Sequence, residues 1–295
     1  MITPYPPRRR SGLALFWAVT FTTTLACWLT AIAIGGKPTS FPTAIPYLLG
    51  GFGPVYGALA VRILRARRRE PVPARTVRLR QGGRLLLALP LLALAVATVV
   101  GAALLAAALG GPAVDLTEGR DLVVTAGGPV PFLIGMLIAG PIAEEPGWRG
   151  TAYPRLRATM NRLQTGLILG AAWAVWHLPL FFITGTVQNE LGLFSWSGLL
   201  FTLSVFPMAV LTGYAYEMAG VVASIAVHFG VNTTMALLTV RSPATQAAVL
   251  VVQIVVAAVL LASGRGRPAT GLPARAGRRD RTLVGSPGSG RADRP

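Results

Sequence analysis

Residues 86–109 read LLALPLLALAVATVVGAALLAAAL. No charge interrupts the run, and it exceeds the roughly 20 apolar residues that a helix needs to cross a bilayer. Outward from it, segments of the same character lie at 12–34, 43–64, 129–146, 164–184, 196–216, 219–240 and 245–263. The fourth of the eight, 129–146, is short, and 43–64 contains Pro46 and Pro54. Hydrophobic residues make up 53% of the 295, charged residues 13%, and mean hydropathy is +0.60. A soluble domain carries about 25% charged residues. The chain therefore reads as all-α, a polytopic integral membrane protein with about eight transmembrane helices. It contains no internal repeat of the kind that marks inverted-repeat transporters.

Formal net charge is +17, which in a soluble protein points to nucleic acid. Here the arginines lie in the links between apolar runs, so membrane orientation explains them and no nucleic-acid partner is expected. With a cytoplasmic N-terminus, one side carries Arg8–Arg10, the arginines from Arg62 to Arg84, Arg149, Arg155, Arg157, Arg162 and those after Ser263. The opposite side holds only Lys37, Arg120 and Arg241 of the 27 basic residues. The positive-inside rule then predicts both termini in the cytoplasm and a multi-pass protein of the plasma membrane, with the bilayer as its first partner. Residues 1–11 form a cytoplasmic N-terminal tail, 12–263 a helical membrane domain, and 264–295 a basic tail too poor in apolar residues to fold. The loop 65–84, RARRREPVPARTVRLRQGGR, reads as a topology signal and solvated linker. A single cysteine, Cys27, excludes a disulfide within the chain. The apolar stretch 13–34 is too long for a signal-peptide core, so a retained first helix is expected.

Against this background a second stretch stands out, PIAEEPGWRG at 141–150. A carboxylate at membrane depth costs about 2 to 3 kcal/mol even on lenient scales, and here two are adjacent. The chain has two histidines, His177 and His228, and both fall inside later apolar segments. Trp173 and His177 are four residues apart and share a helix face, as do His228 and Asn232. Adjacent glutamates on a helix point about 100° apart, so Glu144 and Glu145 have different roles. Glu145 and Arg149 form an i,i+4 pair that favours a salt bridge, leaving Glu144 to face a cavity. Pro146-Gly147 is placed to break the helix at this point. Glu217, beside Tyr214 and Tyr216, reads as interfacial.

One carboxylate, an imidazole, and a second imidazole with an amide permit two routes to hydrolysis. No serine stands beside a histidine, and no HExxH occurs. In the first route Glu144 is a general base for water, His177 orients that water or the glutamate, and His228 with Asn232 donates to the oxyanion. In the second, Glu144, His177 and His228 bind zinc, which activates the water. Residues alone leave both open.

Glu144-Glu145-x-x-x-Arg149-Gly150, then Trp173-x-x-x-His177, then His228-x-x-x-Asn232, resemble in order the three motifs of the CPBP family. These are the CAAX-prenyl-protease-2 and bacteriocin-processing intramembrane endopeptidases, also called the abortive-infection family. The resemblance covers about 130–260. The family often has phenylalanine at the position of Trp173, and Pro146 is a further variation. The resemblance implies an eight-helix intramembrane endopeptidase with its site open toward the cytoplasm. It implies that Glu144 activates water with His177, that His228 and Asn232 form the oxyanion hole, and that Glu145 and Arg149 support them. Family members are often labelled metalloproteases, but the glutamate route needs no metal and is favoured, with no cofactor expected. Expected substrates are membrane-associated proteins or peptides, prenylated CAAX-type proteins among them. Two other classes compete: a non-proteolytic membrane scaffold or immunity protein, and a proton-coupled transporter.

Overall fold

The computed structural model describes residues 12–70 and 82–263, and every element within them is helical. The Arg8–Arg10 run, most of the basic loop and the tail from 264 lie outside the described residues. The helices are α1 (Leu13–Ile34), α2 (Ala44–Gly51), α3 (Gly53–Arg67), α4 (Ala88–Ala108, entered through a 3₁₀ turn), α5 (Thr117–Thr125) and α6 (Pro129–Leu156). There follow α7 (Arg162–His177), α8 (Val187–Leu191), α9 (Trp196–Ala219), α10 (Val221–Leu237) and α11 (Pro243–Ser263).

Each of the eight apolar segments holds a helix, but not eight straight spans. Among the described residues five helices are long and apolar enough to cross a membrane. Two further spans arise only as bent pairs, α2 with α3 at 51° and α5 with α6 at 88°. The eighth segment is α10, apolar but 17 residues long, at the lower limit for spanning. The bends have local causes. Phe52 separates α2 from α3, and Pro54 opens the second of them. Gly127 and Gly128 turn the chain between α5 and α6 with φ of 90° and 107°, values that side-chain-bearing residues rarely adopt. The chain is a multi-pass membrane protein, and its outer face matches: Leu29, Leu89, Leu104 and Val251 are exposed where a soluble protein would place polar groups.

The expectation that Pro146-Gly147 ends a helix near Glu144 is corrected. Helix α6 runs on to Leu156, so the glutamates lie within it rather than at its end. Two π-helical turns make this possible, Ile138–Ile142 around Pro141 and Trp148–Ala152 just past Pro146. A proline removes one hydrogen bond and crowds the carbonyl four residues back. A π turn bonds five residues back and relaxes that crowding.

Helix α6 is held deep in the bundle by α3. Gly147 abuts the backbone of Pro54, so a Cβ there would run into the Pro54 carbonyl. Backbone cannot yield as a side-chain tip can. Gly147→Ala is therefore expected to destabilise the protein by about 1–3 kcal/mol, as overpacking does. Thermal unfolding in detergent checks this, and an unchanged midpoint would contradict the packing described.

An aromatic cluster ties α1 to α6 and α7. Trp28 packs on Trp176 at 4.6 Å, and Trp148 meets both Trp176 (5.9 Å) and Phe16 (5.6 Å). The Trp176 indole donates to Thr24 Oγ1 (2.9 Å), whose hydroxyl donates to the Gly50 carbonyl (2.8 Å). Glu217 is partly buried and carries a network of its own. It accepts from Arg157 (2.7 Å), Arg162 (2.7 Å) and Tyr153 (3.0 Å), so it joins the end of α6 and the start of α7 to α9. Past it, Gly220 at φ 87° turns the chain straight into α10.

Candidate active site

Helices α6, α7 and α10 converge on a cavity of about 280 Å³. Glu144, Trp173, His177, His228 and Asn232 all line it. Glu145 and Arg149 stand behind the wall with no exposed surface. The i,i+4 spacing on each helix accounts for this, since one face of each turns inward.

Glu144 is nearly fully buried, and its Oε2 accepts from the Trp173 indole N–H at 2.5 Å. The backbone carbonyl of the same tryptophan receives His177 Nδ1 at 2.8 Å. A carbonyl only accepts, so Nδ1 carries the proton and a neutral His177 presents the lone pair of Nε2 elsewhere. Trp173 thus holds both the carboxylate and the imidazole. A phenylalanine at this position would have no N–H for Glu144, which gives the departure from the family pattern a chemical meaning.

The split between the glutamates follows the helix angle, with one contact that spacing did not reveal. Glu145 Oε1 accepts from Arg149 at 3.0 Å and also from His228 Nδ1 at 2.8 Å. Residues 145 and 228 are far apart in sequence, so only the tertiary fold joins them. The Arg149 guanidinium lies 4.3 Å from the Trp173 ring centre, a cation–π contact. Trp173 in turn packs edge-on against His228 at 5.2 Å. The second glutamate, the arginine, the tryptophan and the second histidine therefore form one buried unit.

Gly140, in the first π turn of α6, marks where the polar atoms meet. A Cβ built there would lie 3.6 Å from each of Glu144 Oε1, His228 Nε2 and Asn232 Nδ2. One small space is thus flanked by a carboxylate oxygen, an imidazole nitrogen and an amide nitrogen. Such a space can hold a water beside a base, with two donors available for an oxygen that gains charge.

The zinc alternative calls on the same residues. Among the described residues no three His, Cys, Asp or Glu side chains are arranged to hold one metal ion. Glu144, His177 and His228 all line the cavity.

Residues 126–234 match the family model described as Type II CAAX prenyl endopeptidase Rce1-like. That window contains all three motifs, from Glu144 to Asn232. The chain is also 31% identical over 135 residues to the CAAX prenyl protease 2 of Methanococcus maripaludis, covering 45% of this chain and 49% of the relative. The match thus spans about half the length of the curated relative. The motifs, the helical membrane architecture and both comparisons agree in making residues 126–234 similar to Type II CAAX prenyl endopeptidases of the Rce1-like kind.

Proposed function

We propose that the protein is an intramembrane endopeptidase of the glutamate-water type. The observation that carries this reading is the meeting of Glu144 Oε1, His228 Nε2 and Asn232 Nδ2 beside Gly140, inside a cavity at the depth of the apolar helices. In the proposed reaction Glu144 takes a proton from water, with His177 Nε2 orienting that water. The oxygen attacks the scissile carbonyl, and the new oxyanion accepts hydrogen bonds from His228 and Asn232. Glu144 then passes its proton to the amide nitrogen as the C–N bond breaks, giving a carboxylate and an amine.

The second layer has defined tasks in this scheme. Trp173 fixes the Glu144 carboxylate, so one oxygen stays free for water. His228 donates at Nε2 only while Nδ1 also carries a proton, because Nδ1 faces the Glu145 carboxylate. Its donating form is therefore an imidazolium paired with a buried carboxylate, and Arg149 holds that carboxylate in place.

The proposed substrates are membrane-associated proteins or peptides, prenylated CAAX-type proteins among them; the relative's name and the family description support that class. The proposal includes a plasma-membrane location, with both termini and the basic segments on the cytoplasmic side. It treats 12–263 as the membrane domain, with 1–11 and 264–295 as tails.

The test compares new peptide N-termini in membranes from cells making wild type or Glu144→Gln at matched levels and matched size-exclusion profiles. Termini found only with wild type are expected. Identical termini in the two samples would remove the peptidase reading and leave a scaffold, for which Glu144→Gln is tolerated.

A further inference from the structure

The cavity wall includes a residue that the three motifs do not contain and the matched window 126–234 does not reach: Gln253, on α11. It is 1% exposed, and its Nε2 has no hydrogen-bond partner among the described residues. A buried donor left unsatisfied costs about 1–3 kcal/mol, so such groups are rare in folded proteins. An amide in a membrane helix ordinarily bonds to a neighbouring helix. Gln253 instead faces the space that also holds Glu144, His228 and Asn232. Gln246, two turns earlier on the same helix, is also buried with its Oε1 unpartnered among the described residues, but it does not line the cavity.

A peptide that enters a cavity at membrane depth brings its own unsatisfied groups. Each residue carries an N–H and a C=O, and hydrocarbon offers them no partners. The cavity wall also carries apolar Val205, Met208 and Met235, and its Ser204 hydroxyl already donates to the Phe201 carbonyl at 2.7 Å. A primary amide supplies one donor group and one acceptor, the complement of a peptide unit. The geometry points to Gln253 as a substrate-positioning residue that binds the backbone of the peptide strand next to the scissile bond. This rests on the endopeptidase reading and adds a binding contact to it.

The experiment uses the full-length protein in detergent, with a farnesylated CAAX-type peptide as probe. The variants are Gln253→Met, which keeps the volume and removes the amide, and Gln253→Asn, which keeps a shorter amide. With Gln253→Met, KM is expected to rise about tenfold, the scale of one hydrogen bond, with a smaller change in kcat. The melting temperature is expected to stay level or rise, because an unpaired buried group is gone. Gln253→Asn is expected to recover part of the loss in KM. A melting temperature lower by several degrees in Gln253→Met would assign the residue to structure and overturn the proposal, as would an unchanged KM. Wild type no more active than Glu144→Gln would overturn the endopeptidase reading itself, and this contact with it.

Discussion

With Glu144 changed to glutamine, cleavage is expected to slow by about a thousandfold, within the usual range for loss of a positioned general base. Glutamine keeps the shape of the side chain, and its amide oxygen still accepts from the Trp173 indole. It cannot take a proton from water. The loss should therefore fall on kcat, with KM little changed, since binding the peptide does not depend on that proton transfer. The fold should not suffer, because a buried carboxylate is replaced by a neutral group. Single-turnover cleavage of purified wild type and variant, alongside their melting curves, measures both quantities. A variant that keeps a tenth of wild-type activity would show that another group activates the water.

The second large effect is on stability. Arg149 and Glu145 have no exposed side-chain surface and pair at 3.0 Å. Removing one member of a buried pair leaves the other uncompensated and typically costs about 3–5 kcal/mol. Arg149→Met is expected to destabilise by that order, and the loss should shrink when Glu145→Gln is added, because the stranded charge goes too. Activity should not return in the double variant. His228 Nδ1 would then face a neutral amide, and the imidazolium that donates to the oxyanion would lose its counter-charge. Thermal unfolding of the two single variants and the double variant forms a double-mutant cycle. Additive effects would mean that the pair acts as two independent groups.

Much of this was legible in the sequence. Runs such as 86–109 fix the helices, because in a bilayer only internally bonded backbone is tolerated. The polar residues stood out because the rest of the membrane domain is so apolar. Helical spacing placed Trp173 with His177 and His228 with Asn232, and it separated Glu144 from Glu145. The features that were missed depend on tertiary contacts. The Glu145–His228 contact joins residues that no local pattern relates. The helix continued past Pro146 because two π turns accommodate what a local proline rule treats as a stop. Gln253 did carry a signal, an amide deep in an apolar segment, but without the fold it reads as an ordinary bond between helices.

Those π turns have a consequence for how this segment can vary. Each wide turn amounts to one residue more than an α-helix of the same rise would contain, and the two bracket Ala143–Gly147. Deleting one residue from Ile138–Ile142 would therefore let that turn close to the regular period, with Glu144, Glu145 and Arg149 left in their present phase. A regular α-helix answers the same loss with a swing of about 100° in everything beyond it. The wide turns thus make α6 a segment that can lose a position and still present the same surface to the cavity.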